Sequence, residues 1–311
     1  MRTAGIHHIS AIVGNPQENV DFYAGILGMR LVKKTINFDD PGTYHLYFGD
    51  EAGTPGTIMT FFPWPTAFRG RIGDGQVGVT SYAVPDGALP FWQERLERFG
   101  VPFLKVERFG ELYIQLDDPH GLHIELVERA EGKQSEWTFG GVSPEVAIKG
   151  FAGATLYSSS PQQTADVLTQ VMGLELVSRE GDYIRFKSPA AIGNIIDLKT
   201  VPGRRGATGP GTVHHIAWRA KDDSEHLQWQ EHVIQHGLHA TEVKDRNYFN
   251  AIYFPEPGGI LFEIATDPPG FTVDENPEIL GEQLMLPPQY EYLRDELENK
   301  LPTLQVRPLE K

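Results

Sequence analysis

Cysteine is absent from this chain of 311 residues. Disulfides and thiolate ligands are therefore excluded, and any bound metal must rest on histidine and carboxylate. Long hydrophobic runs are missing too: nothing approaches the ~20 apolar residues that cross a bilayer. The opening residues Met1-Arg2-Thr3-Ala4 lead straight into a strand pattern rather than an apolar leader. A cytoplasmic protein without membrane contact is expected. Positive charge is scarce, with 27 Lys and Arg against 42 Asp and Glu and a net charge of −15. That balance argues against nucleic acid or an anionic membrane as partner, since both need a basic face. The one small basic cluster, Arg204-Arg205, lies in a Gly/Pro-rich loop and is expected to be solvated.

Apolar residues make up 40 % of the chain, enough at this length for two domains with a buried core. The pattern reads as four units, each a strand, a helix and three strands. The first has a strand over 5–13, a helix over 16–26 opened by Asn15-Pro16 and ended at Gly28, and strands over 29–37, 43–49 and 56–62. The second starts at Gly78 and the third near Gly150, with its helix over 161–172. The fourth starts at Val213, with a helix over 223–237 and strands over 239–245, 248–254 and 260–266.

A repeat supports this division. Trp92 and Trp229 are 137 residues apart, as are Gly100 and Gly237, while Arg108 and Arg246, like Glu125 and Glu263, are 138 apart. Two double units result, 1–130 and 148–267, joined by a linker over 131–147 and followed by a C-terminal extension over 268–311. In the extension a helix over 288–300 is expected, packed as a cover over one domain. The fold class is α+β: four βαβββ modules forming two open-barrel module pairs, plus the helical tail.

Two near-identical strand starts carry the chemistry, Gly5-Ile6-His7-His8-Ile9-Ser10 and Thr212-Val213-His214-His215-Ile216-Ala217. Strand alternation lets only one histidine of each pair face a given cavity. His8 and His215 share faces with the small Ser10 and Ala217, whereas the opposite faces carry Ile9, Ile216 and Trp218. Small neighbours leave room for a metal, so His8 and His215 are the expected ligands. Glu263, in the apolar run Leu261-Phe262-Glu263-Ile264-Ala265, is costly to bury unless paired or metal-bound. Two imidazoles and a carboxylate make the facial triad that leaves Fe(II) open positions for substrate and O2. Because each half keeps a different histidine, the set is complete only if the first unit meets the fourth. The second and third would then form a metal-free pair.

Other histidines read differently. Glu125 could form a second site with His120 or His123, but a hydrogen-bonded relic of the repeat is the expectation. His226, His232, His236 and His239 are expected on or beside a solvated helix face. His45 has no partner in the sequence.

The Gly-Ile-His-His-Ile-Ser start, the stretch from Asn37 to Tyr47, and Asp245-Arg246-Asn247-Tyr248-Phe249 with Tyr253 and Phe262-Glu263 resemble the vicinal oxygen chelate (glyoxalase/extradiol dioxygenase) superfamily. Within it the likeness is to the hydroquinone-type ring-cleaving dioxygenases and extends over nearly the whole chain. The resemblance implies Fe(II) on His8, His215 and Glu263, with Mn(II) or Zn(II) as alternatives in purified protein. It implies O2-dependent cleavage of a small hydroquinone or catechol, and often a homodimer. Carried over by motif as second-sphere catalytic residues are His7, Ser10, His214, Arg246 and Tyr253, and more loosely Asp50. For Arg246 the alternative is a surface ion pair, with Tyr253 merely packing. Two rival functions stand beside this one. A glyoxalase-like isomerase or transferase would need a fourth acidic ligand near Met59-Thr60-Phe61, where none occurs. A non-enzymatic aromatic- or drug-binding member of the superfamily would lack the ligand set.

Overall fold

The computed structural model describes residues 1–310. Four modules follow one another. The first contains β1 (Ile6–Val13), α1 (Pro16–Val20), β2 (Arg30–Asn37), β3 (Asp40–Gly49) and β4 (Ile58–Pro63). The second contains β5 (Gln76–Val84), α2 (Leu89–Phe99), β6 (Phe103–Arg108), β7 (Glu111–Asp117) and β8 (His123–Glu128). In the third are β9 (Gly150–Tyr157), α3 (Pro161–Asp166), β10 (Glu175–Glu180), β11 (Tyr183–Lys187) and β12 (Ile195–Lys199). The fourth has β13 (Thr212–Ala220), α4 (Asp223–Gln235), β14 (Lys244–Asp245), β15 (Phe249–Pro255) and β16 (Leu261–Pro269), and α5 (Arg294–Lys300) lies in the tail. No helix among the described residues is long and apolar enough to cross a membrane.

The strands form two curled eight-stranded sheets, one ordered β14-β15-β16-β13-β1-β4-β3-β2 and the other β10-β11-β12-β9-β5-β8-β7-β6. Each sheet joins modules from opposite halves of the chain, first with fourth and second with third. The joints are antiparallel, β1 on β13 and β5 on β9. Every residue of β1 is buried, because one face packs on the core while the other lines a cavity.

The helices depart from the expected form in a repeated way. Asn15 caps α1 by accepting from the Gln17 and Glu18 amides, but after Val20 the turns widen into a π-helix, Asp21–Ile26. The same widening follows α3, over Val167–Val171. In the first module it lets the adjacent Phe22 and Tyr23 both enter the core. Gly28 and Gly173 then reverse the chain at φ +71° and +73°, where a side chain would be strained. On α4, His226 stands one turn before Trp229 and is buried, its Nε2 donating to the Ile264 carbonyl at 2.8 Å. The solvated position expected for it is thus corrected: it shares the core stripe with Trp229 and Val233. His232 is partly buried against the Val171 carbonyl, and His236 and His239 are exposed.

The expected strand over 239–245 shrinks to Lys244–Asp245. Upstream of it Thr241 alone ties the segment to Tyr253, by backbone and hydroxyl. In the tail the helix expected over 288–300 begins as a 3-10 turn, Pro288–Leu293, before α5, and the tail covers the first module. Tyr290 donates to the Phe38 carbonyl and Tyr44 to that of Pro302. The fully buried Lys33 ammonium lies 2.8 Å from Asp274 and 2.6 Å from Glu275. Lys33→Met leaves the Glu275 carboxylate buried without its cation and is expected to cost about 3 kcal/mol, read as a fall in the urea midpoint.

Candidate metal centre

Register builds the site. His8 on β1 stands opposite Ala217 on β13, which stands opposite Glu263 on β16, which stands opposite Tyr253 on β15. One pleat away, His215 stands opposite Ser10. The small Ala217 therefore sits between two of the three candidate ligands and leaves the space above it open. His8 Nε2 lies 3.2 Å from His215 Nε2 and 3.4 Å from Glu263 Oε2, and the last two atoms are 2.8 Å apart. Three donors on bonds of ~2.1 Å set at right angles would be separated by about 3.0 Å. The triangle thus has the size of one face of a metal's coordination sphere. It is also the one group of three or more metal-competent side chains among the described residues.

The polarity of the donors agrees. Glu263 is fully buried; Oε1 has no hydrogen-bond partner, and Oε2 faces the imidazoles of His215 at 2.8 Å and His8 at 3.4 Å. An anion in that state is costly unless a cation joins it. His7 Nε2 lies 3.1 Å from the Thr266 carbonyl, so it must carry the hydrogen and leave Nδ1 as an acceptor. That acceptor is 2.9 Å from His8 Nδ1, which therefore donates, and His8 Nε2 is left with its lone pair aimed at the centre. His214 meets His215 likewise, Nδ1 to Nδ1 at 2.8 Å. Burial first, and then proximity to His8, pulls His7 below the ordinary histidine range. Burial also lowers His215, and His214, beside it, is held below the ordinary range as well. Burial alone would raise Glu263, but His8 and His215 overturn this and hold its carboxyl well below the usual range. Neutral imidazoles and an ionised carboxylate are the protonation states that metal binding requires.

A cavity of about 60 Å³ opens over the triad, bordered by Phe62, Phe249, Tyr253, Arg246 and the β2–β3 turn at Asn37–Asp39. Arg246 reaches Tyr253 OH with Nε at 3.2 Å and Asp39 with a terminal nitrogen at 3.0 Å. Of the motif-derived residues, Ser10, His214, Arg246 and Tyr253 line this cavity, and His7 stands behind His8. Asp50 does not belong to it. Its carboxylate accepts from the Ala52 and Thr54 amides and shapes the β3–β4 turn, so the expectation for Asp50 is corrected. His45, Tyr47 and Thr60 carry a polar wall that sequence reading missed. Period-two alternation from His45 to Tyr47 was the available signal.

The second sheet shows what the same position holds without a metal centre. Glu125 stands opposite Ser81 as Glu263 stands opposite Ala217. Two nitrogens of Arg108 meet Glu125 at 2.9 and 3.1 Å and a third meets Asp197 at 2.9 Å, while Ser81 donates to Glu125 at 2.8 Å. Neither His120 nor His123 shares in this: His123 pairs with Asp117 and His120 accepts from the Gly14 amide.

The chain thus folds as two βαβββ module pairs, with the candidate ligands drawn from the first and last modules. The Glyoxalase/Bleomycin resistance protein/Dioxygenase superfamily model matches residues 5–126 and 150–264. The chain belongs to this superfamily. Among its relatives, "Putative ring-cleaving dioxygenase MhqO" of Bacillus subtilis is 64 % identical over 309 residues, 99 % of each chain. The chlorohydroquinone/hydroquinone 1,2-dioxygenase of Sphingobium indicum is 37 % identical over 312 residues, covering 95 % of each. A crystal structure titled as a putative dioxygenase from Bacillus subtilis superposes with a TM-score of 0.98 at 65 % identity, over 99 % of both chains.

Proposed function

We propose that this protein is an Fe(II)-dependent ring-cleaving dioxygenase acting on a hydroquinone or catechol. The observation that carries the reading is the buried triangle of His8, His215 and Glu263, of which His8 and His215 border an aromatic-walled cavity. Names borne by relatives that span nearly the whole chain support it. His8, His215 and Glu263 would hold the ion. When bound, Fe(II) supplies Lewis acidity toward a ring oxygen and an electron path between ring and O2.

The chain's own residues do the rest. Phe62 and Phe249 wall the cavity and exclude water from it, and Phe249 also packs against His7 and His8. Burial, and then the nearby Glu263, keep the Tyr253 hydroxyl protonated, so it serves as a hydrogen-bond donor. Burial alone would weaken the Arg246 cation, but Tyr253 and Asp39 hold it protonated. Together they offer fixed positive polarity where negative charge develops on oxygen. Tyr253→Phe is expected to lower kcat by about 100-fold while metal content stays unchanged, measured by O2 uptake.

The cavity decides access as well. A cavity that holds benzene measures ~150 Å³, so 60 Å³ is too small for a ring in this conformation. The Asn37–Asp39 turn, clasped by Arg246, is the wall that must yield.

Anaerobic reconstitution with Fe(II), then O2 uptake with hydroquinones and catechols, tests the assignment. Uptake with a ring substrate and an open-chain product is expected. No uptake with any ring, alongside turnover of a glutathione hemithioacetal, would replace this reading with the isomerase.

A further inference from the structure

A second row of side chains crosses the sheet beside the triad. His215 on β13, Ser10 on β1, Thr60 on β4 and Tyr47 on β3 are cross-strand neighbours in turn. His45 lies two residues before Tyr47 and so on the same face of β3. Ser10 Oγ is 2.7 Å from Thr60 Oγ1, Thr60 Oγ1 is 2.9 Å from His45 Nε2, and His45 Nδ1 is 2.8 Å from the Tyr47 hydroxyl. All four residues are buried, and Ser10, His45 and Tyr47 border the cavity. The His45 ring is held between Tyr47, centroid at 4.0 Å, and Phe62, centroid at 4.3 Å, so both its nitrogens stay aimed at their partners. Imidazole accepts at one nitrogen, donates at the other, and can exchange the two roles.

We propose that Ser10, Thr60, His45 and Tyr47 form a proton relay that takes the proton of a substrate ring hydroxyl and returns it to the ring-opened product. The proposal rests on the ring-cleaving reading above. In the receiving arrangement Ser10 donates to Thr60, Thr60 donates to His45 Nε2, and His45 Nδ1–H donates to the Tyr47 oxygen. A Ser10 lone pair then faces the cavity. The substrate hydroxyl gives its proton to Ser10 as the Ser10 proton passes to Thr60 and the Thr60 proton to His45 Nε2. The substrate oxygen keeps the bonding pair, and His45 holds one extra proton. Ring cleavage places all atoms of ring and O2 in the product, so the proton retraces the chain and no further reactant is needed. Burial, and then proximity to His8 and His215, keep His45 well below the ordinary histidine range, which favours return over retention. Ser10 alone touches the substrate. Thr60 and His45 act through it and are positioning residues.

Thr60→Val removes one link at constant volume, and His45→Asn removes the ring. In the Fe(II)-loaded enzyme both should lower kcat by about 100-fold, with KM for hydroquinone almost unmoved. The dependence of rate on the D2O fraction should be curved in the wild type, reporting several protons in flight, and linear in both variants. Thr60→Ser should restore rate and curvature. In the 15N-labelled metal-free protein, the His45 ring nitrogens should exchange between two tautomers, and Thr60→Val should lock them in one. A folded Thr60→Val enzyme with wild-type kcat and a curved isotope dependence would overturn the relay and leave ring cleavage standing. A wild-type enzyme that consumes no O2 with any ring would overturn both.

Discussion

Glu263→Gln should abolish tight metal binding and, at the same time, lower the stability of the metal-free protein. The two effects have one cause. His8 and His215 converge on the fully buried Glu263 and hold its carboxyl well below the usual range, so the fold favours the ionised form. Glutamine removes that charge at nearly constant volume, and the metal-free fold loses this contribution. The variant also loses the one anionic member of the ligand set. Disturbing groups that merely support a ligand costs 10–100-fold in affinity, so loss of a ligand should exceed about 100-fold. Metal at 100 times the wild-type Kd should stabilise the wild type by about 2.7 kcal/mol and the variant by almost nothing. Thermal melts with and without Fe(II) under anaerobic conditions, beside metal content per chain, read both. A metal-free variant more stable than the metal-free wild type would show that the two histidines do not compensate the Glu263 charge.

The second large effect is expected in the other sheet. Arg108→Met leaves Glu125, which is fully buried, and removes one of the two arginines from Asp197. Breaking a buried ion pair from one side costs about 3–5 kcal/mol. The double variant Arg108→Met/Glu125→Met removes both charges and should recover much of that loss, because Arg185 still holds Asp197 at 2.7 and 2.8 Å. Urea denaturation measures the cycle. Metal titration serves as the control, since the triad lies in the other sheet and should bind as before.

Set side by side, the two sheets place a glutamate at the same point and stabilise it differently. In one, His8 and His215 converge on Glu263 and leave an opening for an ion. In the other, Arg108 supplies the cation from within the chain. The register of the repeat, with Glu125 and Glu263 at the same offset as Arg108 and Arg246, already marks the correspondence. The two arginines then diverge: Arg108 closes on its glutamate, whereas Arg246 turns to Tyr253 and to Asp39 across the cavity.

Strand alternation and neighbour size point to His8 over His7 and His215 over His214, the pair whose Nε2 atoms the structure brings within 3.2 Å. Both are local properties of an eight- or nine-residue strand, and the sheet preserves them. Asp50 was misplaced because a short polar residue near a Gly-rich turn looks the same whether it faces a ligand or caps its own loop. His226 reads as solvated by its polarity, whereas its place three residues before Trp229 puts it on the core face of α4. His45 stayed unread because its partners come from β3 and β4 side by side, and strand pairing is not written in the spacing of any one segment.

The sequence by itself determined the four modules, the absence of thiolate chemistry and the candidate ligands, since periodicity, composition and a repeat are properties of the chain in order. Only the tertiary structure decided that β1 lies against β13, because that pairing depends on which buried faces fit across two halves of the molecule. With it came the triangle of donors, the salt-bridged counterpart in the other sheet and the hydrogen-bonded wall from Ser10 to Tyr47, all of which exist only once distant strands are brought into register.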